Sequence, residues 1–324
     1  MSAVTPARLR PRDPRDARPR LLAIDWGTTS LRGALIDARG RIVARRALPH
    51  GILQVAPGDF AATFERHFGD WLGQAPALCL LSGMVGSRQG WREAPYCPCP
   101  AGFDALCRNL AWLPAVGGVP LAIVPGMSLV PSGGVDAVAG VPDVMRGEEI
   151  QVIGALRLMN RRDGLLVLPG THSKWVHARD GAVIRFRTFM TGELFALLAR
   201  HSILGRTLDA QAPLDEAAFV RGVRRGLRDE ALGHLLFGVR ALGLFDALDP
   251  AQSSSHLSGL LIGQELRDMR PASGDTVALI GSDALAPRYR LALAQLSCGA
   301  VVFGDEATWA GHQAIHDHLM ETAA

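Results

Sequence analysis

Acidic and hydroxyl-bearing residues stand together in one turn near the start of the chain. Residues 25–30 read D-W-G-T-T-S and follow a short apolar run. Backbone N–H groups and hydroxyls in such a turn can surround phosphate oxygens, and an adjacent carboxylate can hold Mg²⁺ through water, because this ion usually keeps several waters. Asp25, Gly27, Thr28 and Thr29 are therefore candidates for phosphate and Mg²⁺ binding, with an ordinary hairpin turn as the alternative.

A second turn of similar composition occurs at residues 170–174, which read G-T-H-S-K. Lys174 is the only lysine of the chain, against 33 arginines. Lysine differs most from arginine where a compact point charge is needed, as it is beside a phosphate. We predict that Gly170, Thr171, Ser173 and Lys174 contact phosphate or substrate, and the alternative is chance placement of a single lysine.

Two further segments could carry chemistry. Glu148 and Glu149 follow an R-G pair and precede a predicted helix. Either could be the general base for a substrate hydroxyl, which typically contributes about 10²–10⁴ in rate, although two acids at a helix start also suit the macrodipole. Gly281 and Ser282 follow another apolar run, where glycine would let the backbone approach a flat ligand such as adenine. A plain strand-to-helix turn explains that pair equally well.

Several other chemistries are not indicated by any motif. The chain has no G-x-x-x-x-G-K-[ST] phosphate loop, no G-x-S-x-G or H-E-x-x-H motif, and no dinucleotide-type glycine fingerprint after its first strand. Its five cysteines are odd in number and lack zinc-ligand spacing. This favours reduced thiols over a disulfide framework or a metal site.

The candidate turns belong to a pattern of strands that occurs twice. Apolar runs predict strands at residues 21–25, 31–36 and 41–47, and again at 165–168, 175–178 and 182–189. One offset of 143 residues aligns Gly27 with Gly170 and also Asp37 with Asp180. Helices are predicted at 60–72, 149–159, 191–201, 214–227, 231–242, 256–269, 287–296 and 306–318. The sequence therefore predicts an α/β fold with mixed sheets and duplicated lobes.

Composition bounds the number of domains and the classes of partner. The chain has 324 residues, of which 48% are hydrophobic, and this suits two domains with separate cores. The net charge of +3 arises from residues 1–20, which hold six Arg and two Asp, so the remainder has no basic face typical of nucleic-acid binding. We predict a disordered tail at 1–20, domains at 21–145 and 146–304, and a connecting helix at 305–324. A basic binding arm is the alternative for the tail.

No segment is predicted to enter a membrane. The start lacks the apolar stretch of a signal peptide. Residues 110–135 are uncharged but are interrupted by four prolines, so they cannot form one continuous membrane helix. We expect a cytoplasmic protein that binds small molecules and neither nucleic acid nor membrane. Its oligomeric state is left open, with a homodimer as one option.

Six blocks taken in order resemble the 2-dehydro-3-deoxygalactonokinase family of the sugar kinase/heat-shock/actin superfamily, over residues 21–318. The blocks are A-I-D-W-G-T-T at 23–29, S-G-M-V-G-S at 82–87 with G-W at 90–91 and E-A-P-Y at 93–96, V-M-R-G-E-E at 144–149, P-G-T-H-S-K-W-V at 169–176, M-T-G-E-L at 190–194 and L-S-G-L-L-I-G at 257–263. The resemblance implies a two-lobed actin-like ATPase fold, in which duplicated ribonuclease H-like domains with mixed sheets enclose a central cleft.

The resemblance also implies an activity. ATP would phosphorylate the 6-hydroxyl of 2-dehydro-3-deoxy-D-galactonate, a step in galactonate breakdown, with Mg²⁺ held by Asp25 through water. The segment Gly147-Glu148 stands where many carbohydrate kinases have Gly-Asp, and Leu168 stands where the first loop has Asp25. The first departure leaves the assignment of the base open, because Glu reaches one methylene further than Asp. The alternatives are a kinase for a different sugar or keto-deoxy acid and a non-catalytic nucleotide-binding regulator of the same fold.

A sugar acid carries a carboxylate, which an arginine is expected to face. Arg88, Arg92 and Arg146 lie in blocks that match the family, and the sequence does not rank them. The resemblance further implies that the substrate contacts come from the same blocks, namely Gly83, Met84, Val85, Arg88, Trp91 and Arg146. It places Gly170 and Thr171 in the second phosphate loop, and Gly281 near adenosine.

Overall fold

The computed structural model describes residues 19–131 and 140–322 of the chain. The predicted tail lies outside the described residues except for Pro19 and Arg20, which begin the first strand. Contacts divide the chain into two units. The first comprises the described residues up to Asp163, Ala178–Arg185 and those from Asp305 onward, and the second comprises Gly164–His177 and Phe186–Gly304.

A six-stranded mixed sheet forms the centre of the first unit, in the order β3-β2-β1-β4-β8-β7. Its strands are β1 (Pro19–Trp26), β2 (Leu31–Asp37), β3 (Ile42–Leu48), β4 (Leu78–Ser82), β7 (Ala111–Val116) and β8 (Val119–Ile123). The first three strands are antiparallel, whereas β1, β4 and β8 are parallel. Strands β1 and β4 are continuous apolar runs because helices cover both faces of the sheet. Their carboxyl ends meet, with Asp25 opposite Ser82.

Shorter strands carry the chain from this sheet towards the acidic pair. They are β5 (Tyr96–Pro98), β6 (Ala101–Gly102), β9 (Gly126–Leu129) and β10 (Asp143–Met145). Strands β10, β9 and β5 form a small sheet in which Met145 lies opposite Met127. Strand β6 pairs with Ala182 and Val183, which belong to the same unit. Strand β10 therefore ends directly before Arg146 and Gly147.

The helices of the first unit are α1 (Phe60–Leu72), α2 (Phe103–Arg108), α3 (Glu148–Leu158) and α9 (Glu306–Thr322). Phe64, Phe68 and Trp71 of α1 pack into the core beside the sheet. Helices α3 and α9 cross at glycines, since a Cβ on Gly154 would lie 1.8 Å from the Ala307 carbonyl oxygen. The division between the units therefore falls after Asp163, whereas the sequence analysis put it at residue 145. The boundary lies later in the chain because α3 packs against α9 of the first unit.

A second mixed sheet repeats the strand order of the first. Its strands are β11 (Gly164–Leu168), β12 (Ser173–Arg179), β13 (Ala182–Phe189), β14 (Thr276–Ile280) and β15 (Gly299–Phe303), arranged β15-β14-β11-β12-β13. Strands β11, β14 and β15 are parallel. Only short turns join β11 to β12 and β12 to β13, so these neighbours are antiparallel. Both sheets therefore share one strand order, as the duplicated turns predicted, and this is the ribonuclease H-like order that the resemblance implied.

The helices of the second unit are α4 (Thr191–His201), α5 (Glu216–Gly226), α6 (Leu232–Leu244), α7 (Pro250–Met269) and α8 (Ala286–Ala294). Helix α7 begins six residues before the predicted start at residue 256 because Asp249 and Gln252 form a capping box. Helices α5 and α7 pack through interleaved glycines. A Cβ on Gly259 would lie 2.1 Å from the Phe219 carbonyl oxygen, so only glycine permits this approach.

None of the described helices is both long enough and apolar enough to cross a membrane.

Candidate active site

The first Gly-Thr turn connects β1 to β2 and is held from behind by the segment after β3. Gly27 N–H donates to the Ser30 carbonyl (2.8 Å), and Ile52 N–H donates to the Gly27 carbonyl (3.0 Å). A Cβ on Gly51 would lie 2.2 Å from the Thr28 carbonyl oxygen, so glycine is required there. Thr28 and Thr29 are exposed. The turn is thus fixed on one side and presents hydroxyls on the other.

Asp25 stands at the carboxyl end of β1 beside this turn. Its side chain is 15% exposed, and its Oδ2 accepts hydrogen bonds from Arg32, including one from Nε at 3.1 Å. Behind it lies His312 of α9, which is completely buried and whose Nδ1 is 2.9 Å from the Thr308 carbonyl oxygen. Burial lowers the pKa of His312, and the Asp25 charge opposes that shift. Sequence reasoning did not identify His312.

Two glycines with positive φ bring three segments of the first unit together. Gly83 has φ of 89°, and a Cβ there would lie 3.1 Å from Asp25 Oδ1. Gly147 has φ of 103°, and a Cβ there would lie 3.1 Å from the Cα of Gly83. The end of β1, the turn after β4 and the start of α3 therefore converge, which places Asp25, Gly83 and Gly147 side by side.

The two acids at the start of α3 differ in environment. Glu148 is half-buried, and its Oε2 accepts from Arg146 N–H (3.0 Å). Glu149 is completely buried, and its Oε2 accepts from Gly147 N–H (2.7 Å). Its Oε1 has no hydrogen-bond partner among the described residues. Burial, assisted by the nearby Glu148 charge, raises the pKa of Glu149 to about 8.

The three candidate arginines have unequal partners. Arg88 is 84% exposed and pairs with Glu93 (3.1 Å), and Arg92 donates to the Trp112 carbonyl. The guanidinium of Arg146 stacks 4.2 Å from the Tyr96 ring centroid, and one terminal nitrogen donates to the Ala94 carbonyl (2.8 Å). Its Nε and other terminal nitrogen are buried and find no partner within residues 19–131 and 140–322. Arg146 therefore has donors to offer an anion.

The remaining predicted substrate residues form the support of the site. Met84, Val85 and Gly86 make a short 3₁₀ turn after Gly83. Val85 is completely buried, and Trp91 stacks on Phe60 with ring centroids 6.5 Å apart. The structure thus places the side chains of Val85 and Trp91 in the core behind the turn. They differ in this respect from the direct contacts that the sequence analysis expected.

The second Gly-Thr turn, between β11 and β12, is held by the start of α4. A Cβ on Gly192 would lie 2.5 Å from the Gly170 carbonyl oxygen, and Glu193 N–H donates to the Thr171 carbonyl (3.0 Å). Nε2 of His172 lies 2.6 Å from Oε2 of Glu193. A helix N-terminus carries positive partial charge and unpaired N–H groups. The turn and helix together form a site suited to phosphate.

A cavity of about 530 Å³ opens from this turn within the second unit. One part of its wall bears hydroxyls and another part is apolar, and Arg288, hydrogen-bonded to Ser258 (2.9 Å), adds a cation. Pockets of this size and mixed character bind nucleotides and other small molecules. Its wall includes Gly170, Thr171, Thr191, Ser282, Leu261 and Ile262. Gly281 lies next to this wall against Pro169.

Ser173 and Lys174, for which we predicted phosphate or substrate contacts, are not among the residues that line this cavity. Strand β12 buries both side chains. The Ser173 hydroxyl donates to Oε2 of Glu265 (3.0 Å) and lies 3.1 Å from the Tyr289 hydroxyl. The position of Ser173 is explained by this buried acid, Glu265, which sequence reasoning missed.

Glu265 of α7 joins four elements beneath the cavity. Its side chain is 1% exposed and accepts from Trp175 Nε1 (2.7 Å), from the Tyr289 hydroxyl (2.9 Å) and from the Thr191 hydroxyl, besides Ser173. Thr191 and Tyr289 both line the cavity. Burial raises the pKa of Glu265, and the hydrogen bonds from these side chains oppose that shift. The signal in the sequence was a lone acid within the largely apolar stretch 257–266.

Two mixed sheets with one strand order, each with a Gly-Thr turn after its first strand, define the class of actin-like ATPases with duplicated ribonuclease H-like sheets. A family model narrows this class. The model for 2-keto-3-deoxy-galactonokinase matches residues 25–315, and the chain belongs to that family.

Individual relatives agree with this family. The chain is 38% identical over 296 residues to a Rhizobium meliloti (strain 1021) protein assigned as 2-dehydro-3-deoxygalactonokinase DgoK1, covering 89% of this chain and 94% of that protein. It is 36% identical over 299 residues to the 2-dehydro-3-deoxygalactonokinase of Escherichia coli (strain K12), covering 91% and 97%. A crystal structure of a Sinorhizobium meliloti protein assigned to the same activity superimposes with a TM-score of 0.82 at 35% identity, over 92% of this chain and 99% of that chain.

Proposed function

We propose that this protein is an ATP-dependent kinase that phosphorylates the terminal 6-hydroxyl of 2-dehydro-3-deoxy-D-galactonate, giving 2-dehydro-3-deoxy-6-phosphogalactonate and ADP. Membership of the family supports the reaction, and the relatives are named for this substrate. The observation that carries the mechanism is the convergence of Asp25, Gly83 and Gly147, because it sets an acid-bearing helix start beside the first phosphate turn.

Glu148 is the proposed general base. The substrate hydroxyl gives its proton to this carboxylate, its oxygen forms a bond to the γ-phosphorus, and the bond to the β-phosphate oxygen breaks to release ADP. A base must reach the substrate, and Glu148 is half-buried whereas Glu149 is completely enclosed. With its pKa near 8, Glu149 is also mainly protonated at neutral pH, so it suits the role of holding the Gly147 turn.

Arg146 is the proposed partner of the substrate carboxylate. Its Nε and one terminal nitrogen are buried without a partner among the described residues, and a carboxylate would supply the acceptor and the counter-charge that this guanidinium needs. Stacking on Tyr96 and the hydrogen bond to Ala94 fix the plane of the guanidinium before substrate arrives. Such preorganisation lowers the entropy lost on binding.

ATP would place its phosphates at the Gly-Thr turns and its adenosine in the cavity of the second unit. Thr28, Thr29, Gly170 and Thr171 are the proposed phosphate contacts, with Gly281 and Ser282 near adenosine. The wall of that cavity has hydroxyl-bearing residues, which suit a ribose, and apolar residues, which suit a purine.

Mg²⁺ would be held by Asp25 through water. The described residues contain no cluster of three or more His, Cys, Asp or Glu side chains able to hold a metal. A single carboxylate nevertheless fits this ion, which usually keeps several waters and binds one or two carboxylates together with substrate phosphates. When bound, the ion would offset the charge on the transferring phosphoryl group.

A substrate panel tests this proposal. Purified protein with Mg-ATP would be offered 2-dehydro-3-deoxy-D-galactonate, other keto-deoxy acids and neutral sugars in a coupled assay for ADP. We expect the highest kcat/KM with the galactonate derivative. Preference for a neutral sugar would contradict the role of Arg146, and ATP binding without sugar-dependent ADP release would indicate a non-catalytic regulator.

A further inference from the structure

Four arginines lie on one face at the end of helix α5. Arg221, Arg224 and Arg225 belong to the helix and Arg228 follows it by two residues. Their spacing of three, four and seven residues places them on the same side. With Leu242, Ala247, Leu248 and His256 they line a cavity of about 300 Å³, which contains no acidic residue in its described wall. We refer to this cavity as the arginine groove.

Three of these arginines, Arg221, Arg224 and Arg225, have no carboxylate partner in the described part of the chain. Arg228 lies 3.6 Å from Glu230, and Nε of Arg224 donates to Oε1 of Gln295 (2.9 Å). Arg221 and Arg225 form no ion pair with any described carboxylate. Elsewhere many arginines are paired, as Arg46 is with Asp70 (2.7 Å). The groove therefore retains uncompensated positive charge.

His256 also lines the groove, and it lies close enough to Arg221 and Arg225 for their charges to act on its imidazole. The ring is 4% exposed, and its Nδ1 lies 3.3 Å from the Ala218 carbonyl oxygen. Burial lowers the pKa of His256 to about 4, and the charges of Arg221 and Arg225 act in the same direction. The imidazole is thus neutral at physiological pH and is available as a hydrogen-bonding group rather than as a further cation.

Like charges four residues apart on a helix repel one another. Arg221 and Arg225 are such a pair, and no acid stands between them in the sequence. Guanidinium groups bind phosphate and carboxylate in a bidentate manner. The cavity volume lies at the lower limit for small-molecule pockets, which are typically about 300–1,000 Å³.

We propose that the arginine groove is a binding site for a small phosphate-bearing anion with at least two negative charges. The guanidinium groups would bind the phosphate, and Leu242 and Leu248 would contact any carbon skeleton attached to it. The groove shares no lining residue with the cavity proposed for ATP. It shares helix α7 with that cavity, since His256 follows Ser255 in the chain.

Arginine footprinting on the full chain tests the proposal directly. Phenylglyoxal modification would be mapped by mass spectrometry with the ATP site saturated by a non-hydrolysable ATP analogue. Pyrophosphate serves as the inorganic probe and 6-phosphogluconate as the phosphate-ester probe. We expect at least one probe to slow modification of Arg221 and Arg225 several-fold, with exposed Arg185 and Arg290 unaffected. The more protective probe identifies the source of the phosphate group.

A pair of matched variants supplies the second measurement. The Arg221→Gln/Arg225→Gln double variant should lose one calorimetric binding event for the protective probe, whereas Arg185→Gln/Arg290→Gln should keep it. No protection by either probe, or equal slowing at all four arginines, would overturn the proposal, and so would a binding event retained by the groove variant. Both readouts report binding and not phosphoryl transfer, so their outcome is independent of the proposed kinase activity.

Discussion

The backbone N–H of Gly147 donates a 2.7 Å hydrogen bond to Oε2 of Glu149, two residues further along the chain. Gly147 has a φ that side-chain-bearing residues rarely adopt. A buried carboxyl group therefore holds the strained turn from which helix α3 and Glu148 begin. This separates the acidic pair into Glu149, which shapes the turn, and Glu148, which we propose as the general base.

Stability should depend on pH through Glu149. Because the pKa of Glu149 is about 8 in the folded protein and its ordinary value is 4.5, the folded state binds more protons between these two pH values. The free energy of unfolding should therefore be greatest below about pH 4.5 for this group and fall as pH rises to about 8. Glu149→Gln mimics the protonated form and should remove this pH dependence of the unfolding free energy. Urea unfolding of both proteins at several pH values would measure that free energy. The same dependence on pH in both proteins would contradict the raised pKa of Glu149.

Glu148→Gln should lower kcat by about 10²–10⁴, because the variant keeps the shape of the side chain but cannot accept the proton. Nucleotide affinity, measured by fluorescence with an ATP analogue, should stay unchanged. Glu149→Gln is the matched control and should keep most of its activity at neutral pH. Near-normal turnover by Glu148→Gln would remove Glu148 from the role of base.

Arg146→Lys should raise KM for the sugar acid by about 10- to 100-fold, since hydrogen bonds to charged groups contribute about 1.5–3 kcal/mol. Lysine keeps the charge but loses the planar guanidinium that stacks on Tyr96 and donates to Ala94. KM for ATP should not change. Arg88→Lys is the control, because Arg88 is exposed and already paired with Glu93. Equal effects of the two substitutions on KM would contradict the assignment.

Gly83→Ala should lower stability by about 1–3 kcal/mol, because φ of 89° with ψ of −156° is a region that only glycine normally occupies. It should also lower kcat, since the new methyl group would meet the Trp26 carbonyl (2.9 Å) and Asp25 Oδ1. Gly58→Ala provides the comparison. Gly58 also has positive φ but has open space around it, so its variant should lose stability and keep its kcat.

Glu265→Gln should lower stability by about 2–4 kcal/mol, because an amide nitrogen would face buried donors that now share a carboxylate. Thr191 and Tyr289 line the nucleotide cavity, so KM for ATP should rise by a larger factor than kcat falls. Asp268→Asn, an exposed acid on the same helix, is the control. An unchanged KM for ATP in a folded Glu265→Gln protein would limit Glu265 to a structural role.

The local elements were largely predictable from the sequence. The strands around both Gly-Thr turns follow from short apolar runs, and their duplication is visible as a single offset between Gly27 and Gly170. The earlier start of α7 was also readable, since Asp249 followed by Pro250 is a helix-start signal. Backbone propensity and capping act over a few residues, so one sequence contains this information.

Long-range relationships were not predictable in the same way. Arg146 is a better candidate than Arg88 for binding the substrate carboxylate because it packs against Tyr96 and Ala94. Both of these residues are distant from Arg146 in sequence. The same applies to Glu265, whose donors come from three other elements. The boundary after Asp163 depends on α3 crossing α9. Burial and partner choice arise from tertiary contacts, which no local pattern encodes.

The central claim is transfer of phosphate from ATP to the terminal alcohol of a keto-deoxy sugar acid. A ³¹P NMR time course with purified protein, Mg-ATP and 2-dehydro-3-deoxy-D-galactonate measures it directly. The account predicts that one phosphomonoester forms for each ADP and that its phosphorus couples to the protons on C6. Loss of ATP to ADP and inorganic phosphate alone, or coupling to protons on another carbon, would contradict it.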